Sequence, residues 1–227
     1  MMTDSEGLPA RMKRYEAVSY HTLTRRVPVI LRVDGRAFHT LTRSLEGWST
    51  EFSNKIAATA VAVMQEMQGC AFAYCQSDEI SFLLTDYQTI KTQPWFNYEL
   101  EKIISISAAI ASVSFSLQFG SPAEFDSRAF SVPQDEACNY FIWRQQDATR
   151  NAINMVGQQH FSPKQLHGKS TDDVQEMLFQ EKAIKFNDYT AAQKRGVCVV
   201  RGEIDKEIPI FTQDRKYVEK HVFIREN

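Results

Sequence analysis

Little in this sequence suits an extracellular, fibrous or membrane-spanning protein. Only four of its 227 residues are cysteine. Cys70, Cys75, Cys138 and Cys198 form no CxxC pair, which argues against a structural zinc site or a disulfide framework and for reduced, buried thiols. No Gly/Ser linker, repeat or low-complexity tract divides the chain. The longest apolar run, Ile103 to Leu117, is shorter than a bilayer span and is broken by five serines. The start, Met1-Met2-Thr3-Asp4-Ser5-Glu6, carries acid where a secretory leader needs base. The expectation is a soluble protein of the cytoplasm with no membrane partner. A large excess of either charge is also lacking, with 26 Lys+Arg against 28 Asp+Glu.

The balance hides a gradient. Residues 1–60 hold 9 basic and 6 acidic side chains, residues 61–180 hold 7 and 14, and residues 181–227 hold 10 and 8. An acidic middle can collect divalent cations, and basic ends can meet phosphates. With 43% hydrophobic and 24% charged residues, the chain has the makings of one globular domain with a C-terminal extension.

Val27 to Val33 is β-branched and alternating, and it stops at Asp34-Gly35, which predicts a strand. Phe52, Ile56, Ala60, Val63 and Met67 recur at helical spacing, with Ser49 or Thr50 as N-cap. Cys70–Cys75 and Ile80–Leu84 flank the polar turn Gln76-Ser77-Asp78-Glu79 and read as a hairpin. Ile104 to Ser107 alternates like a strand, but Ile103, Ile106, Ile110, Val113 and Leu117 keep helical steps over a length that favours a helix. Phe125 to Val132 reads as a further strand and Cys138 to Val156 as another helix. The order β, α, ββ, α, β predicts an α+β fold of ferredoxin type, in which the first strand's end and the hairpin turn can lie side by side.

Asp34 and Asp78, 44 positions apart, would then meet. Two apposed carboxylates next to a glycine carbonyl suit Mg²⁺, a hard ion that completes its shell with water and substrate phosphates. A pair of such ions serves phosphoryl transfer. Asp and Gly are also ordinary turn residues, so spacing alone leaves two bare turns as the other reading.

The order of motifs resembles the tRNA-histidine guanylyltransferase family. They are Arg32-Val33-Asp34-Gly35-Arg36-Ala37-Phe38-His39, Gln76-Ser77-Asp78-Glu79-Ile80-Ser81-Phe82, Trp95-Phe96, Phe125-Asp126-Ser127-Arg128, Trp143-Arg144-Gln145-Gln146-Asp147 and Lys194-Arg195-Gly196, spread over roughly residues 12–201. The resemblance implies a polymerase- or cyclase-like palm over residues 1–140, with residues 141–227 as the C-terminal part of the same domain, contributing to RNA or subunit contacts. It implies two Mg²⁺ on Asp34, Asp78 and the carbonyl of Gly35, with Glu79 as a close catalytic carboxylate. It places a nucleoside triphosphate, ATP or GTP, on Gly35, Arg36, Ala37, Phe38 and His39 with Ser77 and Lys102. RNA would meet Arg128, Arg144, Arg150, Asn151, Lys194 and Arg195, and the family suggests a homotetramer.

Two departures refine this. Where histidine-tRNA-specific members carry His-Ile-Asn-x-Leu-Tyr-Asn, this chain reads Thr149-Arg150-Asn151-Ala152-Ile153-Asn154-Met155. The match is therefore to the guanylyltransferase-like branch, whose members repair 5′-truncated tRNAs by template-dependent 3′-to-5′ addition. Where many members have Lys-Pro-x-Asp, used in activating a 5′ monophosphate, this chain has Glu46-Gly47-Trp48-Ser49-Thr50, with Lys55 as a possible stand-in. The rival readings are a nucleotidyl cyclase, which shares the palm and the aspartate pair, and a non-catalytic tRNA-end clamp.

Overall fold

The computed structural model describes residues 7–42 and 49–224. The segment Glu46-Gly47-Trp48 lies outside the described residues. The elements in chain order are α1 (Leu8–Glu16), β1 (Val29–Gly35), α2 (Phe38–Leu41), α3 (Thr50–Glu66), β2 (Cys70–Gln76), β3 (Glu79–Leu84), α4 (Leu100–Phe119) and β4 (Phe125–Ser131). There follow α5 (Gln134–His160), α6 (Pro163–Leu166), α7 (Thr171–Lys182), α8 (Ala191–Arg195), β5 (Val197–Val200), β6 (Glu203–Asp205) and α9 (Lys216–Val222).

The strands form one antiparallel sheet in the order β4-β1-β3-β2-β5-β6. Each strand alternates faces. Val29, Leu31 and Val33 of β1, with Ile80, Phe82 and Leu84 of β3, form a core with α3 and α4 on one side. Ile30, Phe72, Tyr74 and Leu83 pack on the other side against α5 and α9. A smaller cluster, with Ile153, Val156, Val174 and Leu178, joins α5 to α7.

Local chemistry sets the boundaries. The Ser49 hydroxyl accepts the Phe52 amide at 3.2 Å and so caps α3. Ser77 adopts φ 48°, the left-handed conformation that lets two residues turn β2 into β3. Gly120 ends α4 at φ 84°. At 20 residues α4 is long and apolar enough to cross a membrane by length and composition alone, contrary to the shorter run read from the sequence, because the helix continues past it at both ends. Here it lies along the sheet, burying Ile103, Ala111 and Phe115, while Ile106, Val113 and Leu117 are exposed. Helix α5 runs unbroken through residue 140, and β5 and β6 extend the same sheet.

Candidate active site

The register draws a polar row across four strands. Asp126 pairs with Asp34, Asp34 with Glu79, and Glu79 with Gln76. Two residues along each strand, and so on the same face, lies a second row, Arg128, Arg32, Ser81 and Tyr74. Carboxylates are thus backed by arginines on one face of the sheet.

Burial deepens along the first row, with side-chain exposures of 60% for Asp126, 32% for Asp34 and 9% for Glu79. The first two keep water. Glu79 needs a partner, since a buried charge without one is costly. Arg144 on α5 supplies it, donating from Nε and Nη2 to the two Glu79 oxygens at 2.8 and 2.6 Å. Ser81 Oγ donates to Glu79 at 3.2 Å, and Arg32 Nη1 stands 3.8 Å away. Arg32 Nη2 is also 3.6 Å from Asp34.

Asp78 ends the hairpin turn. Its carbonyl accepts the Gly35 amide at 3.1 Å, so the turn is stitched to the end of β1. Burial, then repulsion from Glu79 and Asp78, pushes the Asp34 carboxyl above its usual pKa against the pull of Arg32. Burial also raises Asp78, opposed by hydrogen bonds from its own amide and from Ser77, while Glu79 raises it further and His39 lowers it. Two half-buried carboxylates that resist ionising side by side form a hard-oxygen donor pair that a divalent cation would neutralise. Among the described residues no three His, Cys, Asp or Glu side chains gather into a ready-made metal cage.

Beside the pair, Gly35, Ala37, Phe38, His39, Thr42, Phe52, Ser77 and Asp78 wall a cleft of about 280 Å³. Phe38 anchors this loop among Phe52, Phe115 and Phe125, at ring separations of 6.1, 5.2 and 4.9 Å. A Cβ at residue 35 would sit 2.3 Å from the Phe38 ring, so glycine is required. A second cleft, of about 290 Å³, shares Thr42, Phe52 and Ser77 and continues to Ala148, Asn151 and Met155 of α5. Across α5, Arg150, Lys194 and Arg195 line a third, of about 410 Å³.

A family model described as tRNAHis guanylyltransferase matches residues 9–133, more than half of the chain. The chain belongs to the tRNAHis guanylyltransferase family. It is similar to a probable tRNA(His) guanylyltransferase of Drosophila melanogaster, 28% identical over 78% of this chain and 68% of that one. It also matches a solved bacterial tRNA(His) guanylyltransferase (Thg1)-like protein in complex with ATP, at 41% identity and TM-score 0.93, covering 96% of this chain and 100% of the other. A bacterial Thg1-like protein in complex with GTP matches over the same shares at 38% identity and TM-score 0.87. Family membership makes this chain a nucleotidyltransferase.

Within this guanylyltransferase-family site, the structure unites Asp34, Gly35, Ala37, Phe38, His39, Ser77, Asp78 and Glu79. Four of the expected contact residues hold other partners in this structure. The amides of Gly35 and Arg36 are already bonded to the carbonyls of Asp78 and Glu124, which leaves Ala37 to His39 as the open part of the loop. The Arg36 guanidinium pairs with Glu124 at 2.7 Å. Lys102 bonds Glu99 at 2.9 Å, ten residues or about 15 Å of helix before Ser112, which accepts the amide of Phe125, the register partner of Gly35. Arg144, expected on RNA, is buried and committed to Glu79 and Asp147.

Other basic residues hold local partners while lining open surface. Arg150 bonds Asp147, Lys194 donates to the Asn187 carbonyl at 2.7 Å, and Arg195 donates to the Ile208 carbonyl at 3.0 Å. Arg128 stands 3.4 Å from Asp126. Tyr74 ties the Lys194–Gly196 turn to the site face by donating to the Arg195 carbonyl at 2.7 Å. Lys55 is paired with Glu51 at 2.6 Å and lies over the Phe119 ring, lining none of these clefts. Sequence reasoning passed over Arg32, Asp126 and Asp147 as site residues. Arg32 was legible, since it sits two positions before Asp34 and strand alternation puts both on one face.

Proposed function

We propose that this nucleotidyltransferase adds nucleotides in the 3′-to-5′ direction to the 5′ end of tRNA, copying the opposite strand of the acceptor stem and so repairing 5′-truncated tRNA. The observation that carries this reading is the pair Asp34 and Asp78 beside a cleft walled by Gly35, Ala37, Phe38, His39 and Asp78, in a chain similar over 96% of its length to proteins solved with ATP and GTP. The fold underneath is a palm of the ferredoxin-type βαββαβ kind. This is supported by the element order β1, α3, β2, β3, α4, β4 and the strand order β4-β1-β3-β2.

Asp34 and Asp78, with the Gly35 carbonyl, would hold two Mg²⁺, which when bound supply charge neutralisation at phosphate and a more acidic attacking hydroxyl. The open loop Ala37 to His39, with Ser77, holds the triphosphate of an incoming nucleotide. The less polar second cleft receives its base. Arg150, Asn151, Lys194 and Arg195, with Arg128, hold the RNA backbone as cations and amides do. The 5′ end, activated with ATP or already a triphosphate, is attacked at its α phosphorus by the nucleotide's 3′ hydroxyl, expelling AMP or pyrophosphate. The chain's own contribution is in-line positioning.

Residues 1–140 would carry this chemistry, and residues 141–227 of the same domain the RNA and subunit contacts. We further propose a cytoplasmic homotetramer. The four free thiols and the exposed apolar face of α4 support that arrangement. The deciding experiment offers a 5′-labelled tRNA lacking its first nucleotide, with monophosphate or triphosphate end, together with ATP, each NTP in turn and Mg²⁺. Addition of only the complementary nucleotide is expected; no extension on either end overturns the reading.

A further inference from the structure

Glu79 is the register partner of Asp34 and the sequence neighbour of Asp78, so it is the carboxylate best placed to intrude on both. Nucleotide addition at Asp34 and Asp78 needs no third carboxylate. Yet Glu79 is buried, with both oxygens engaged by a single guanidinium. We propose that Arg144 is a positioning residue: by occupying both oxygens of Glu79 it keeps that carboxylate off the cations at Asp34 and Asp78, and thereby sets how tightly the site binds divalent metal. This deepens the two-cation reading above and rests on it.

The arrangement has the parts such a role needs. Arg144 is itself held from behind, with Nη2 3.1 Å from Asp147 and its guanidinium 4.6 Å from the centre of the Trp143 ring. Asp147 is engaged in turn by Arg150 and, at 3.5 Å, by Asn151. The fork therefore cannot swing away without breaking contacts along a full turn of α5. Among the described residues the other cation paired with Glu79 is Arg32, which stands 3.8 Å off and is shared with Asp34. It cannot balance both. A buried ion pair stabilises a fold no better than apolar residues of the same volume, so packing alone does not account for a charged pair here. A lysine could match the charge but not the two parallel bonds.

The test reads metal affinity directly, by electron paramagnetic resonance titration of Mn²⁺ in the presence of GTP. It uses the full chain and the variants R144Q, E79Q, R144K and the double variant E79Q/R144Q, each with a melting curve taken without metal. Freeing the Glu79 charge should tighten Mn²⁺ binding in R144Q by about tenfold. Removing it and leaving Arg144 unpaired should weaken binding in E79Q by a similar factor. The double variant should return to within about twofold of the parent, and R144K should fall between parent and R144Q.

Turnover should drop in R144Q without a matching rise in the KM for nucleotide. A residue that only supports the fold would lower the melting temperature and leave the affinity of the folded fraction unmoved, and that result overturns the proposal. If R144Q does not fold, the loss in E79Q and its recovery in E79Q/R144Q carry the same test. Absence of Mn²⁺ binding by the parent above a D34N/D78N control would bring down the two-cation reading, and this inference with it. Binding by the parent with unmoved variants would bring down this inference alone.

Discussion

Asp34 sits where the sheet makes a charge uncomfortable. Its carboxyl is half buried, flanked by Glu79, Asp78 and Asp126, and countered by one shared arginine. Asp34→Ala or Asp78→Ala is expected to reduce nucleotide addition below detection while leaving tRNA affinity within about twofold, as read by gel extension and filter binding. The raised pKa values carry a sign. A carboxyl that holds its proton longer in the folded than in the unfolded state favours folding in acid, and that advantage is lost as pH rises through its folded value. At pH 7.5 the pair therefore costs stability until a cation offsets it. Mg²⁺ should raise the melting temperature at pH 7.5, by an increment that shrinks toward pH 4, and D34N/D78N should abolish the increment.

His221 shows the opposite case. Burial, with Lys220 and Arg201 nearby, lowers its pKa to about 4, its Nε2 has no partner among the described residues, and its ring stacks on Phe72 at 5.2 Å. The unfolded chain takes up that proton near pH 6.5, so stability present above that pH is lost as pH falls toward 4. The full span is about 3 kcal/mol. His221→Phe should flatten this acid limb in denaturant titrations between pH 7 and pH 4.

Among the elements, α3 and the loop before α2 most directly shape the cleft. Ser49→Ala removes the cap on α3 and should cost about 1 kcal/mol, a fall of about 2–4 °C in melting temperature for a chain of this size. Gly35→Ala acts differently. Its Cβ would drive Phe38 from the Phe52, Phe115 and Phe125 cluster and move the loop that lines the proposed nucleotide cleft. The KM for nucleotide should rise at least tenfold, with a near-ultraviolet circular dichroism change reporting the displaced rings.

These elements were largely legible. Strand β1 ended at Asp34-Gly35, the hairpin turned at Ser77-Asp78, and α3 began after Ser49, because alternation, turn chemistry and caps are local signals. The ambiguous stretch from Ile103 to Leu117 proved to be one helix, as its length argued. The place of Lys102 was not legible for a related reason. Its position relative to the site depends on how far α4 slides along β4, fixed by bonds such as Ser107 Oγ to Ser127 Oγ at 2.9 Å, which no local pattern encodes.

Over the whole molecule, the charge gradient read along the chain becomes a surface. The basic residues of the C-terminal region meet α5 around the cleft lined by Arg150, Lys194 and Arg195. Arg150→Ala and Lys194→Ala should each weaken tRNA binding and lower the slope of log affinity against log salt by about one. The exposed Val113 and Leu117 on α4 belong to the same scale. Leu117→Glu should shift the proposed tetramer toward smaller species in light scattering.

Sequence by itself determined the elements and the coming together of the ends of β1 and the hairpin turn, with Asp34 and Asp78, because each follows from periodicity and turn residues over short spans. Tertiary structure alone decided which charges are free to act. Arg144 and Glu79 are 65 positions apart, and only the seating of α5 on the sheet turns a presumed RNA contact into the buried partner of a carboxylate. A side chain's charge is local information, but the burial and the partner that give the charge its effect come from chain segments far away.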